Sequence, residues 1–429
     1  MSGSYESNCG GSFRQDFRLT NSPDSIIKNG TWNDSVISKG KGRILVIHTV
    51  QLVTPSISFP RYRGIECRVY EKTKCGLCKI IENQENRLCF HQPQCPGLKV
   101  YLSRTTVPHV AITINPARIL GGGYHDLCAL TPALLNRCMD PVARILREFE
   151  IGCTADQLIL SRIDCTVDVQ FPQENALEAF LACAQRTNLP RGYHVERFGK
   201  KFPNHKGMNR HSFRMTCRDV CLTIYDKSFQ LVNEGLMDER DVPPDRLRFE
   251  AAFRNSAFQR LFTKYGGGIF WDNPDDHGAR RMAIGFSNLS MKLLQDYFRR
   301  HMTPGQYMSR DLTFQRVDSS SFSKKVKLRM KRVLTEVSRY PKSGISAVLK
   351  DLRVDGFSQN ELQYLMKCFE KINLNPATIN STAGYEMFPS VAELLSDENR
   401  FAKPFSDFAA EKGIPANSGR EKKARATAG

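Results

Sequence analysis

Apolar and polar residues alternate through the stretch LSRIDCTVDVQF (160–171), the period of a β-strand. Ile159, Ser161, Ile163, Cys165, Val167 and Val169 share one face, and Leu160, Arg162, Asp164, Thr166, Asp168 and Gln170 share the other. DRLRFEAAFRN (245–255) repeats the pattern, with Leu247, Phe249, Ala251 and Phe253 against Arg246, Arg248, Glu250 and Arg254. So does VCLTIYDK (220–227), with Val220, Leu222, Ile224 and Asp226 against Cys221, Thr223, Tyr225 and Lys227. Residues 43–54 and the segments GIECRVYE, GLKVYLSR and HVAITINP within 64–114 also read as strands. The spacing predicts helices over 131–152, where Thr131 and Pro132 match an N-cap followed by a first-turn proline, and over 173–187. DVCLTIYDKSFQLVN (219–233) starts as a strand and turns helical, and 190–212 reads as a basic loop or hairpin. From about residue 256 the period becomes helical, most clearly over 320–340 and 358–372. This order predicts an α+β fold: an antiparallel sheet with packed helices, followed by a mostly helical C-terminal region. The expected divisions are a flexible arm over 1–42, an α+β domain over 43–255, a helical domain over 256–400 and a basic disordered tail over 401–429.

If the three two-faced strands lie in one sheet, its exposed polar face collects Asp164, Asp168, Glu250, Tyr225, Lys227 and several arginines. Carboxylates so placed can hold a hard divalent cation. A deprotonated tyrosine is a nucleophile, and Arg162, Arg248 and Lys227 suit phosphate oxygens. The same residues also fit a solvated sheet face with cross-strand ion pairs, and a strand tyrosine also serves packing. Asp226 falls off this face, where a neighbouring arginine would pair with it.

Charge favours the first reading. There are 62 Lys and Arg against 44 Asp and Glu, a net charge of +18, which points to a polyanionic partner, with nucleic acid ahead of a membrane surface. No stretch reaches the length of apolar chain that spans a bilayer, and the N-terminus has no apolar core of signal-peptide type. Fourteen cysteines without an export signal suggest reduced thiols or a metal site in an intracellular protein. Cys75, Cys78, Cys89 and Cys95, with His91 among them, follow a C-x2-C, gap, C-x5-C order compatible with tetrahedral zinc on a hairpin within 67–95; reduced structural cysteines fit equally. Basic residues in the 191–214 loop (Lys200, Lys201, Lys206 and Arg210 among them) and at the start of the 320–340 helix (Lys324, Lys325 and Lys327) are candidate DNA contacts, or simply solvated charge.

Several of these segments, in order, resemble the replication initiators of filamentous phages, the gene II protein family, and more distantly plasmid rolling-circle initiators. INPARILGGG followed by LCALTPALLN is similar to the family's approach to its first long helix. SRID with the strand after it, CLTIYDK and RLRFEAAFR are similar to its active-site strands. The likeness spans about 97–255 and, more weakly, 320–375. It implies a metal-dependent nickase, using Mg²⁺ or Mn²⁺, that cuts one strand of supercoiled origin DNA. Tyr225 would attack the phosphodiester and stay joined to the 5′ end, leaving a 3′-OH for the host helicase and polymerase, and the displaced single strand would later be cut and rejoined into a circle. Lys227, Arg162 and Arg248 would assist at the phosphate, and Asp164 and Glu250 would ligate the metal. The setting implied is the cytoplasm of a bacterial host, with no membrane partner. The chain departs from the family in reading Tyr225-Asp226-Lys227 where the best-known phages have Tyr-Leu-Lys. Asp168 has no sure counterpart, and no His-hydrophobic-His motif is present, which leaves His205 or His211 as a further metal ligand. The alternative is a DNA-binding regulator that keeps the fold without nicking.

Overall fold

The structure is a computed structural model that describes residues 47–402 apart from 104, 122–125, 189, 191, 196–210, 255, 266–277 and 341–343. The expected N-terminal arm, nearly all of the tail, and Lys200, Lys201, Lys206, Arg210 and His205 lie outside the described residues. Twelve strands are described: β1 (Ile47–Val53), β2 (Lys79–Gln84), β3 (Arg87–His91), β4 (Leu98–Ser103), β5 (His109–Ile114), β6 (Ile159–Gln170), β7 (His194–Val195), β8 (Ser212–Thr216), β9 (Val220–Asp226), β10 (Arg246–Arg254), β11 (Tyr307–Met308) and β12 (Met387–Phe388). The first ten form one sheet in the order β2-β3-β4-β5-β1-β6-β10-β9-β8-β7, antiparallel at every pairing. The helices are α1 (Phe59–Lys74), α2 (Pro116–Ile119), α3 (Pro132–Glu148), α4 (Leu177–Ala184), α5 (Lys227–Asn233), α6 (Ser256–Tyr265), α7 (Gly278–His301), α8 (Arg310–Ser319), α9 (Lys324–Arg339), α10 (Ile345–Val354), α11 (Gln359–Lys371) and α12 (Val391–Ser396). The fold is α+β, an antiparallel sheet with packed helices and a helical C-terminal region.

One expected strand is a helix. GIECRVYE satisfies a period of two at Ile65, Cys67 and Val69, but Tyr62, Ile65, Glu66 and Val69 are the buried positions, the helical period. Pro60 in the first turn sets the start of α1.

The apolar face of the sheet is covered by long helices. α7 crosses β6, β10 and β1. It sets Phe298 edge-on against Phe249 (centroids 5.4 Å apart) and Tyr297 against Phe253 (4.8 Å). On the opposite face α5 packs against β10. The centre of β6 is therefore buried on both sides from Ile163 to Val169. The core of the sheet continues without a break into α9, α10 and α11, and the boundary expected near residue 255 falls inside one compact unit.

Phe298 is fully buried at the junction of helix and sheet. Phe298→Ala should cost about 3–5 kcal/mol of stability. Chemical denaturation should show one transition, shifted alike for probes in the sheet and in the helices, whereas two separate transitions would mark independent domains.

Candidate active site

The register brings the three two-faced strands together. β10 lies between β6 and β9, so Arg248 sits opposite Asp168 on one side and Tyr225 on the other. Glu250 sits between Thr166 and Thr223, and Ala252 between Asp164 and Cys221. On β8, Ser212 and Arg214 pair with Tyr225 and Thr223. Cross-strand partners share a face, so one surface carries carboxylates, arginines and the tyrosine.

That surface is less open than its polarity suggests. Asp164, Asp168 and Arg248 are 3%, 6% and 0% exposed. α5 packs on β10, and the chain near Phe401 closes the end of β6, where the Ala402 amide donates to the Asp168 carbonyl (2.9 Å). Buried charges of this kind must be paired. Arg162 donates twice to Asp164, at 2.6 and 2.7 Å. Arg248 grips Asp168 in the same two-pronged way, with Nη2 to Oδ2 at 2.8 Å, and Arg246 lies 3.7 Å away. Burial alone would raise the Asp168 pKa, but Arg248, together with Arg246 and Lys227, outweighs it and holds the carboxyl below its ordinary value.

At the edge of this buried charge layer lies a 280 Å³ cavity, lined by His48, Arg214, Tyr225, Lys227 and Glu250 among others. The half-buried Tyr225 hydroxyl donates to Glu250 Oε1 at 2.8 Å. Burial and the adjacent Glu250 charge push the phenol well above its ordinary pKa, which Arg248 only partly offsets. The nucleophile candidate is therefore a phenol whose proton already points at a carboxylate.

Lys227 departs from the strand expectation, because it is the first residue of α5. Asp226, expected to meet an arginine, instead caps this helix by accepting from the Phe229 amide (2.9 Å). The cap turns the Lys227 side chain into the buried space beside the tyrosine. Its Nζ donates to Gln230 Oε1 (2.8 Å) and lies 5.8 Å from the Tyr225 ring centroid. Burial, and then the charge of Arg248, lower its pKa to about 7, although Asp168, Glu250 and Glu234 pull the other way.

His48, which the sequence reading passed over, also faces the cavity. Ile47 pairs with Cys165 and Thr49 with Asp164, so His48 is an extra residue in β1, a β-bulge. The bulge breaks the alternation by which His48 would have been recognised. Burial, followed by Arg248 and Lys227, lowers its pKa to about 3, which keeps the imidazole neutral.

The expected metal ligands are engaged otherwise. Asp164 and Asp168 each hold an arginine, Glu250 holds Tyr225, and His211 meets Asp226 (3.3 Å) while stacking on Phe229 (3.6 Å). Among the described residues, no group of three or more His, Cys, Asp or Glu is placed to hold a metal ion. This donor set, as arranged, does not fit the implied Mg²⁺ or Mn²⁺.

The cysteine expectation ends similarly. The β2–β3 hairpin is present, but Cys75 is exposed at the C-cap of α1, Cys78 and Cys89 are buried, and Cys95 lies in the turn before β4. Burial pushes the Cys78 thiol up to about 11 and raises Cys89 and Cys95, and no three of these cysteines and His91 are placed together to hold a metal ion. Lys324 and Lys325 are exposed at the start of α9, and Lys327 donates to the Asp318 carbonyl (2.7 Å).

No family model and no curated protein matches the chain. Among solved structures, one titled "Structure of Rolling Circle Replication Initiator Protein from Geobacillus stearothermophilus" is similar with a TM-score of 0.30 and 11% identity, covering 60% of this chain and 84% of that chain. So loose a likeness carries neither fold nor activity from one chain to the other. Among the described residues, no helix is long and apolar enough to cross a membrane.

The two buried ion pairs differ in what their loss exposes. Asp168→Ala removes the carboxylate that grips the fully buried Arg248 guanidinium at two points and should cost about 3–5 kcal/mol. Asp164→Ala should cost less, because the Arg162 side chain is 33% exposed and can reach water. Chemical denaturation of the two variants checks the ranking.

Proposed function

We propose that this protein is a DNA nicking-closing enzyme that initiates rolling-circle replication, with Tyr225 as its nucleophile. The observation that carries the reading is the Tyr225–Glu250 hydrogen bond of 2.8 Å in a cavity bordered by Arg214 and Lys227. The resemblance of the SRID, YDK and RFE segments to the gene II family agrees with it, as does the net charge of +18.

In this reading the Tyr225 oxygen attacks the phosphorus as its proton passes to Glu250. The bond from phosphorus to the 3′ oxygen breaks, that oxygen takes up a proton from water, and a free 3′-OH leaves. The 5′ phosphate stays on Tyr225. Arg214 and the Lys227 ammonium offset the charge that builds on the phosphoryl oxygens. Closing is the reverse: a 3′-OH attacks the phosphotyrosine, and Glu250 returns the proton. The bond energy is conserved, so no nucleotide cofactor is required. Origin DNA, double- and single-stranded, is the substrate in this reading; the host helicase and polymerase would act on the product, and Mg²⁺ or Mn²⁺ is a variable of the assay.

Supercoiled DNA bearing the cognate origin, incubated with and without Mg²⁺, should acquire protein covalently attached to a 5′ end. Tyr225→Phe should abolish the adduct, and Glu250→Gln should slow it by 10²-fold or more. An adduct that survives Tyr225→Phe moves the nucleophile elsewhere, and origin binding without an adduct in any variant leaves a non-catalytic regulator.

The Lys227 pKa sets a second expectation. As pH rises through about 7 the ammonium of the free protein loses its proton, and its charge at the phosphate is lost with it. Adduct formation at subsaturating DNA should therefore fall above that pH. Lys227→Arg, charged throughout, should flatten the fall, and an unchanged profile would remove Lys227 from this role.

A further inference from the structure

The C-terminal helices carry a second surface that the nicking chemistry does not use. α10 and α11 are joined by only Asp355, Gly356, Phe357 and Ser358. The turn is tightly specified. Gly356 takes a φ of +94°, and the Phe357 amide donates back to the Leu352 carbonyl (3.0 Å), closing α10 with a left-handed residue. Ser358 caps α11 by accepting from the Glu361 amide (3.2 Å). Phe357 is buried in the turn, with the Arg329 and Arg332 guanidinium groups of α9 lying 5.8 and 5.4 Å from its ring centroid. Both α10 and α11 pack on α9, burying Val348 and Leu352 from one and Leu362, Leu365 and Phe369 from the other.

This leaves one side of α11 facing solvent. Asn360, Gln363, Tyr364 and Lys367 are exposed at helical spacing of three and four residues, so they form one continuous stripe. The neighbouring groove between α9 and the turn is electrically balanced and is not an anion site: Arg329 pairs with Glu361, Arg332 with Asp355, and Lys331 with Asp318. The surplus charge lies around it. Residues 324–371 hold twelve Lys and Arg against five Asp and Glu, and Lys324, Lys325, Lys350, Arg353 and Lys371 are exposed.

We propose that α10, its turn and α11 form a helix–turn–helix that reads double-stranded DNA, with α11 in the major groove. The groove admits an α-helix, and side-chain amides such as those of Asn360 and Gln363 match the edge of adenine, while Lys367 matches guanine. The surrounding lysines and Arg353 face the phosphates on either side. A short, Schellman-closed turn fixes the start of α11 while its stripe side stays exposed, as base reading requires. The inference rests on the reading of the chain as a DNA-acting protein, but not on Tyr225.

Full-length Tyr225→Phe protein, unable to trap DNA covalently in the proposed reaction, is offered random-sequence duplexes, and the bound fraction is sequenced. The pool should converge on one sequence. Asn360→Ala/Gln363→Ala in the same background should bind that sequence at least about tenfold more weakly while keeping its affinity for unrelated duplex. With Tyr225 restored, this double variant should still form adducts on single-stranded DNA. Convergence on the same sequence with and without the substitutions overturns the assignment of α11, and so does a pool that never converges. In either case adduct formation on single-stranded DNA decides the nicking reading separately.

Discussion

The Arg248 side chain is the point on which the central sheet turns. It is fully buried on the middle strand of the polar face, clamped by Asp168 on β6 and opposite Tyr225 on β9. A guanidinium cannot shed its charge at any working pH, so its burial obliges the fold to supply a carboxylate at bonding distance. That demand ties β6 to β10 more specifically than apolar packing could, because a slip of one residue would turn Asp168 to the wrong face. The same positive charge then acts on its neighbours: it works against burial to keep Asp168 ionised, and it adds to the larger effect of burial in depressing Lys227 and keeping His48 neutral.

The chemistry proposed for the cavity is a consequence of that arrangement. A tyrosine beside a carboxylate resists ionisation, yet the same carboxylate is placed to take its proton when phosphorus is attacked. A lysine at the first turn of a short helix, rather than on the strand, reaches the tyrosine ring from the side and loses its hold on its own proton. Both effects come from burying few charges close together, where their interactions are stronger than in water.

The two proposed DNA-contacting surfaces ask different things of the protein. The cavity on the sheet face needs reactive groups held rigidly, and it draws them from four neighbouring strands and one capped helix. The α11 stripe needs only exposed side chains at fixed spacing on a stiff support, which α9 provides through its contacts with Phe357 and the apolar sides of α10 and α11. Continuous core links the two surfaces.

Much of this was legible in the sequence. The alternation in 160–171, 220–226 and 245–255 determined which residues share a face, because side-chain direction in a strand follows from backbone geometry alone. The cap Thr131 marked a helix start for the same local reason. Other features were decided only by tertiary structure. Ile65, Cys67 and Val69 suit a strand or a helix, and the packing of Tyr62 and Val69 chose the helix. The bulge at His48 exists only because β1 must pair with β6, and it carries the histidine into the cavity. Of the carboxylates expected to hold a metal, Asp164 and Asp168 hold arginines and Glu250 holds Tyr225, since sequence spacing records which charges share a surface but not which pairs meet once water is excluded.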